Sequence, residues 1–315
     1  MGSAHARALL KYAQEANAGS DVAQDDREIR PLEAGKPMER ELAGGQGHSY
    51  RIELISGQYL RVVVYQKGID VAVTVFGPNG NKVAEIDSPN GMNGPEPISV
   101  IAEAGGTYSL EVRSREKTVA AGRYEVNLEE LREATARDKT QLAAELVFAE
   151  AEQLRRGTVE AKRKGIEKYH EALALYRSAF DFKGEAQTLN NIGVTYWLLS
   201  EMPSALRYYN EALQSRRAAD DKAGEAQTLN NIGMVHWSSG DMPTALDYFN
   251  KALPLRRAAG DQAGEANTLN NLGLVYDSLG DKQKALDYYR QSLIPRRASG
   301  DRESEAGTLN NMGMA

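Results

Sequence analysis

The sequence predicts a multidomain β + α protein, a jelly-roll-like antiparallel β-sandwich followed by an all-α solenoid. Three observations carry that expectation. A 40-residue unit recurs without a gap from residue 184 onward. Residues 31–130 instead alternate apolar and polar side chains between turn signals. At 315 residues, with 41% hydrophobic and 26% charged side chains, the chain is long enough for two cores of ordinary composition.

Residues 1–30 say least. Met1-Gly2-Ser3 reads as an added leader, Ala6–Ala16 as a short helix and Gly19–Asp26 as a polar linker. Strand signals then take over in HSYRIELI, QYLRVVVYQ, DVAVTVFG, PISVIAEA, TYSLEVRS and GRYEVNLEE. Tyr50, Ile52 and Leu54 share one face, as do Tyr108, Leu110 and Val112. Pro78-Asn79-Gly80-Asn81 predicts a hairpin turn, because Asn-Gly tolerates positive φ. Asn90-Gly91 and Gly105-Gly106 are expected to act similarly. Seven or eight short strands at this spacing predict a sandwich of roughly 100 residues.

Residues 131–183 read as a linking helix and a diverged first unit. KYHEALALYRSAFD at 168–181 parallels YYNEALQSRRAADD at 208–221. The first helix of that unit is expected around Leu142–Leu154, followed by a charged connection over Arg155–Lys164. The regular units span 184–223, 224–263 and 264–303, with a partial copy at 304–315. The first two are identical at 25 of 40 positions. Each unit reads as two helices. Leu189, Ile192, Gly193 and Tyr196 form an apolar face on the first, where Gly193 needs a packing reason, since glycine in a helix costs about 1 kcal/mol. Pro203 suits the first turn of the second helix, which carries Ala205, Leu206, Tyr209, Ala212 and Leu213.

Leu189, Gly193, Tyr196, Ala205, Tyr209 and Ala212 recur as Leu229, Gly233, His236, Ala245, Phe249 and Ala252, and as Leu269, Gly273, Tyr276, Ala285, Tyr289 and Ser292. This pattern resembles the tetratricopeptide repeat (TPR), in a 40-residue form like that of kinesin light chains. His236 and Ser292 depart from the family residues. The segment from GQGHSYRIELI to GRYEVNL resembles the bacterial pre-peptidase C-terminal (PPC-like) sandwich. Together the two modules resemble the front part of bacterial proteins that end in a CHAT domain, a caspase-like peptidase fold. That resemblance implies a bacterial protein, with a periplasmic or secreted location beside a cytoplasmic alternative. The halt at Met312-Gly313-Met314-Ala315 reads as a cut inside a unit.

Composition excludes several chemistries. With no cysteine there is no disulfide, thiolate zinc site or cysteine nucleophile. A net charge of −6, with both signs interspersed, argues against nucleic acid as the main partner. No apolar run approaches the roughly 18 residues of a membrane span. His5, His48, His170 and His236 fit no metal motif, and His236 is expected to be a packed aromatic. Gly44-Gly45-Gln46-Gly47 lacks the residues of a phosphate loop and reads as a strand connection. Asp70 and Asp87 are weighed as calcium ligands against solvated loop carboxylates. No GxSxG context is present, so no enzyme, metal or cofactor is expected in this segment.

A binding face is the better candidate. Asn190, Val194 and Trp197 form a stripe at i, i+4 and i+7, separate from the core face. It recurs as Asn230, Met234 and Trp237, then as Asn270, Leu274 and Asp277. The TPR resemblance places these stripes on a concave surface, where asparagines can hold a peptide backbone and the apolar residues can supply pockets. Against this stands a structural role in tying units together, the role expected of Asn191, Asn231 and Asn271. The Arg216-Arg217, Arg256-Arg257 and Arg296-Arg297 pairs are expected to be solvated caps or partners of the following aspartates; the alternative is that their recurrence stacks them into a basic ridge that could meet an acidic partner. The resulting expectation is a module that binds a peptide or protein segment. The alternatives are a regulatory arm of a CHAT protease, or a scaffold that self-associates end to end through Leu309 and Met312.

Overall fold

The structure, a computed structural model, describes residues 29–87, 93–115, 119–299 and 301–315. The expected helix and linker before residue 29, and the turn at Asn90-Gly91, lie outside the described residues. The chain divides after Leu142 into two compact units.

The first unit contains β1 (Arg30–Pro31), β2 (Met38–Leu42), β3 (Gly47–Leu54), β4 (Gln58–Lys67), β5 (Val71–Phe76), β6 (Lys82–Ile86), β7 (Asn93–Ile101), β8 (Gly106–Ser114) and β9 (Gly122–Glu133). They form two sheets, ordered β1-β3-β8-β5-β6 and β2-β9-β4-β7. The pairings are antiparallel except β1 with β3, where Arg30 and Pro31 run parallel to Tyr50 and Arg51. The expected alternation is what builds the core. Tyr50, Ile52, Leu54, Val73 and Leu110 from one sheet meet Leu60, Val62, Val100 and Val126 from the other in a single cluster. Polar atoms inside it are matched across the sheets: the Tyr124 hydroxyl bonds to both Tyr50 and His48 Nδ1. The β5–β6 hairpin turns at Gly80, whose φ is +77°, and Asn79 Oδ1 accepts the Asn81 amide at 3.0 Å. The glycine cluster at 44–47 joins β2 to β3. Asp87 is engaged by Arg115, so its carboxylate neutralises a cation of the sandwich.

The helices are α1 (Ala136–Arg155), α2 (Val159–Ser178), α3 (Phe182–Leu198), α4 (Met202–Ala218), α5 (Lys222–Ser238), α6 (Met242–Ala258), α7 (Gln262–Ser278), α8 (Lys282–Ser299) and α9 (Arg302–Met314). Helix α1 starts six residues before the expected Leu142, because Thr135 and Asp138 form a reciprocal cap. The Thr135 amide donates to Asp138 Oδ2 at 2.7 Å, and the Asp138 amide to Thr135 Oγ1 at 3.2 Å. The expected connection at Arg155–Lys164 is also shorter than its charge suggests. Thr158 caps α2 through the Ala161 amide, and the residues from Val159 are helical. Glu, Lys, Arg and Ala are good helix formers, and the charges of the first three face water, so polarity there marks an exposed helical face.

The solenoid is punctuated every 20 residues. Phe180, Ser200, Asp220, Gly240, Gly260 and Gly280 all have positive φ and end a helix. The next residue caps the following helix: Asp181, Asp221, Asp241, Asp261 and Asp281 each accept a backbone amide of the first turn, and Asp301 does the same for α9. Glu201 holds the same position without a side-chain cap. Between the helices of a unit, the glycine predicted to need a packing reason meets an aromatic ring. A Cβ on Gly193, Gly233 or Gly273 would lie 2.5–2.6 Å from Tyr209, Phe249 or Tyr289. His236 replaces a tyrosine and stacks on Tyr248, with centroids 5.6 Å apart, as Tyr196 stacks on Tyr208. Ser292 stays buried and bonds to the Tyr289 carbonyl at 2.9 Å.

Candidate functional site

The first helices of successive units, α3, α5 and α7, approach one another more closely than the second helices do. The first helices therefore form the inner side of the array. Side-chain hydrogen bonds run directly between them. Asn190 Oδ1 accepts from Thr228 Oγ1 at 3.3 Å and Asn231 Nδ2 at 3.0 Å. Asn230 Oδ1 accepts in the same way from Thr268 and Asn271, and Asn270 Oδ1 from Thr308 and Asn311. One asparagine oxygen per unit is thus shared by two donors of the next. The ladder ends at Glu152, which takes the Asn191 amide at 2.7 Å and the Tyr169 hydroxyl. Burial alone would raise the Glu152 pKa, but Arg155, Tyr169 and Asn191 together hold it below its ordinary value.

The stripe residues separate by what their atoms do. Asn190 is buried, and its Nδ2 donates to Asn191 Oδ1 at 3.2 Å, so both ends of its amide serve the protein. Asn230 and Asn270 are half-buried, and among the described residues their Nδ2 groups have no acceptor. Their oxygens are held by the ladder, which fixes each amide plane and leaves an N–H₂ donor on the inner side. Val194 and Trp197 pack onto the core of the next unit, as do Met234 and Trp237, and Trp237 Nε1 donates to Ser278 at 3.2 Å. Leu274 is half-buried, and Asp277 pairs with Lys282 at 2.8 Å. The stripe is therefore partly an inter-unit seam.

The arginine pairs split. Arg217, Arg257 and Arg297 are exposed and each pairs with a glutamate eight residues on, Glu225, Glu265 and Glu305. Arg216 is 4% exposed, lies over Gly224, and binds Asp221, Gln187 and Gln227. Burial lowers its pKa, with Asp221 opposing. Arg256 and Arg296 are sequestered similarly, Arg256 against Asp261 and Arg296 against Asn267. The pairing expected with the following aspartates holds for Arg216 and Arg256, and the alternative of a basic ridge is corrected. Half of its charges lie inside; for Arg216 and Arg256 the reason is that the glycine in the first turn of the next helix, Gly224 or Gly264, leaves room for a guanidinium, a position that Ser304 fills after Arg296. Sequence reasoning also missed Thr228, Thr268 and Thr308 as ladder donors, although their three-residue spacing from Asn231, Asn271 and Asn311 puts both on one helical face.

Tetratricopeptide-repeat family models match residues 186–219 and 224–293. These segments are tetratricopeptide repeats. Among solved structures, the TPR region is similar to BtubC (BKLC) from P. vanneervenii, at 22% identity over 57% of this chain and 83% of that one, with a TM-score of 0.42. It is also similar to the Rap protein complexed with Competence and Sporulation Factor, at 19% identity over 55% of this chain, with a TM-score of 0.48. The match spans about half of that protein, 52%. The pre-peptidase C-terminal domain of collagenase from Bacillus anthracis is 20% identical over 32% of this chain and 95% of that one, with a TM-score of 0.28. No curated protein matches the sequence. No described helix is long and apolar enough to cross a membrane.

Proposed function

We propose that the TPR array is a protein-interaction module whose inner face binds a peptide segment through the side-chain amides of Asn230 and Asn270. One observation carries the reading. Each of these asparagines is immobilised through its oxygen, yet keeps an N–H₂ donor without an acceptor among the described residues. A donor held in place loses little entropy on binding, and peptide carbonyls are the matching acceptors. Val194, Met234 and the two tryptophans provide half-buried apolar surface beside them. The reading is one of recognition, with no bond-making group involved.

Alanine is the wrong test, because it would also remove the ladder oxygen. Asn230→Asp with Asn270→Asp keeps an acceptor for Thr268, Asn271, Thr308 and Asn311 while replacing each donor by an oxygen. A phage-displayed library of 12-residue peptides is selected on the 315-residue chain. The expected outcome is that selected peptides bind the double variant at least about tenfold more weakly, near 1.4 kcal/mol, while its melting temperature stays within a few degrees. Selected peptides that bind both proteins equally, or no selection at all, would overturn the reading.

A further inference from the structure

We infer that the ligand of this face is an uncharged chain in the polyproline II conformation, read through backbone carbonyls three residues apart; this rests on the peptide-binding reading above. Two independent observations lead there. The first is spacing. Among the described residues the donors without an acceptor are those of Asn230 on α5 and Asn270 on α7, in two successive units whose helices are in direct contact and tied by the Asn271–Asn230 bond. Packed helices lie about 8–10 Å apart, which sets the distance between successive donors. A β-extended ligand presents same-side carbonyls about 7 Å or 13–14 Å apart, on either side of that distance. A polyproline II chain has three residues per turn and rises about 3.1 Å per residue. Its carbonyls i and i+3 therefore face the same way, about 9 Å apart. It makes no internal hydrogen bonds, so every carbonyl is available to the asparagines.

The second observation is charge. The stripe from Asn230, Met234 and Trp237 to Asn270 and Leu274 carries no ionisable side chain, and Asp277 is neutralised by Lys282. The buried Arg216 is balanced by Asp221, and the exposed Arg217 by Glu225. Arg296 lines a pocket with Asn270, but it is buried with Asp301 as its countercharge. The stripe's own side chains therefore do not offset the desolvation of a ligand charge. The half-buried rings of Trp197 and Trp237 instead offer flat apolar surface, of the kind on which proline-rich segments dock.

The test uses the full chain and three fluorescein-labelled 12-residue probes: four Ala-Pro-Pro repeats, three Ser-Thr-Val-Gln repeats, and four Glu-Pro-Pro repeats. Fluorescence anisotropy is expected to show the Ala-Pro-Pro probe binding at least tenfold tighter than either other probe. Its affinity is expected to change less than twofold between 0.05 and 0.5 M salt, and to fall at least tenfold in the Asn230→Asp, Asn270→Asp variant. Equal or tighter binding of the Ser-Thr-Val-Gln probe, still lost in the variant, would overturn the conformation while leaving the asparagine site standing. Preference for the Glu-Pro-Pro probe would overturn the neutral class. Ala-Pro-Pro binding that survives in the variant would overturn the asparagine site and the inference together. Failure of the Ala-Pro-Pro probe to bind would overturn the inference alone, since the library selection tests the site separately.

Discussion

Gly233 lies against the ring of Phe249 so closely that a methyl group on it would stand 2.6 Å from Cε1. Gly193 and Gly273 have the same relationship to Tyr209 and Tyr289. The pairing lets α5 and α6 approach each other, and it explains why each unit tolerates a glycine inside its first helix.

Gly233→Ala is therefore expected to destabilise the array by about 1–3 kcal/mol, the usual cost of overpacking, despite the better helix propensity of alanine. Gly307 in α9 has open space around it, with nothing within 4 Å of where a methyl group would stand. Gly307→Ala is accordingly expected to stabilise by about 0.5–1 kcal/mol. Urea unfolding of the two variants checks the pair. Signs opposite to those stated would show that helix approach does not set the glycine.

The positive-φ positions make a second prediction. Phe180 and Ser200 sit at φ of 55° and 62°, where Gly240, Gly260 and Gly280 occupy the equivalent turns. A left-handed conformation costs an L-residue about 1–2 kcal/mol, partly offset by the extra unfolded-state entropy of glycine. Phe180→Gly and Ser200→Gly should each raise stability by about 0.5–1 kcal/mol, read as a higher melting temperature. A lower one would show that those side chains contribute contacts worth more than the strain.

Helix α4 starts without a side-chain cap, since Glu201 is one methylene too long for the role that six aspartates fill elsewhere in the array. The ion pair of Glu201 with Arg163, at 2.8 Å, is solvent-exposed and worth little. Glu201→Asp is expected to add about 0.5–1 kcal/mol. Chemical denaturation measures it, and an unchanged midpoint would sink the assignment.

Asp138 gives the pH dependence. Arg132 holds its carboxyl well below the usual carboxylate range; partial burial opposes this, and the Thr135 bonds add to it. A depressed folded pKa contributes stability that is present above the unfolded value, near 3.9, and is lost as pH falls through the folded one. Asp138→Asn should cost about 1 kcal/mol at pH 7, through the lost charge opposite Arg132 and the weakened cap, and the gap to wild type should narrow below about pH 4. A gap that stays constant from pH 7 to pH 3 would rule out the ion pair as its source.

Much of the fold was legible from local chemistry. The 40-residue period, the apolar faces of the helices and the Asn-Gly hairpin all depend on residues close in the chain, where spacing alone fixes which side chains share a face. The start of α1 is hidden from such reasoning, because its cap, Thr135 with Asp138, sits among polar residues that carry no apolar periodicity. Sheet order could not be read at all: His48 pairs with Val112, far along the chain, and nothing in either strand names its partner.

The site divides along the same line. Sequence alone marked the asparagines, the stripe and its recurrence, since helical geometry turns spacing into a face. Tertiary structure decided what each atom on that face does. Asn190 and Asn230 are identical in sequence context, yet Asn190 donates to Asn191 while Asn230 keeps its donor. Arg216 and Arg217 are adjacent and chemically alike, yet one is buried over Gly224 and the other pairs in solvent with Glu225. In the first case the acceptor, Asn191, is itself held by Glu152 on α1, and in the second the deciding neighbours come from the next unit. Only the packing of helix on helix brings these partners within hydrogen-bonding distance.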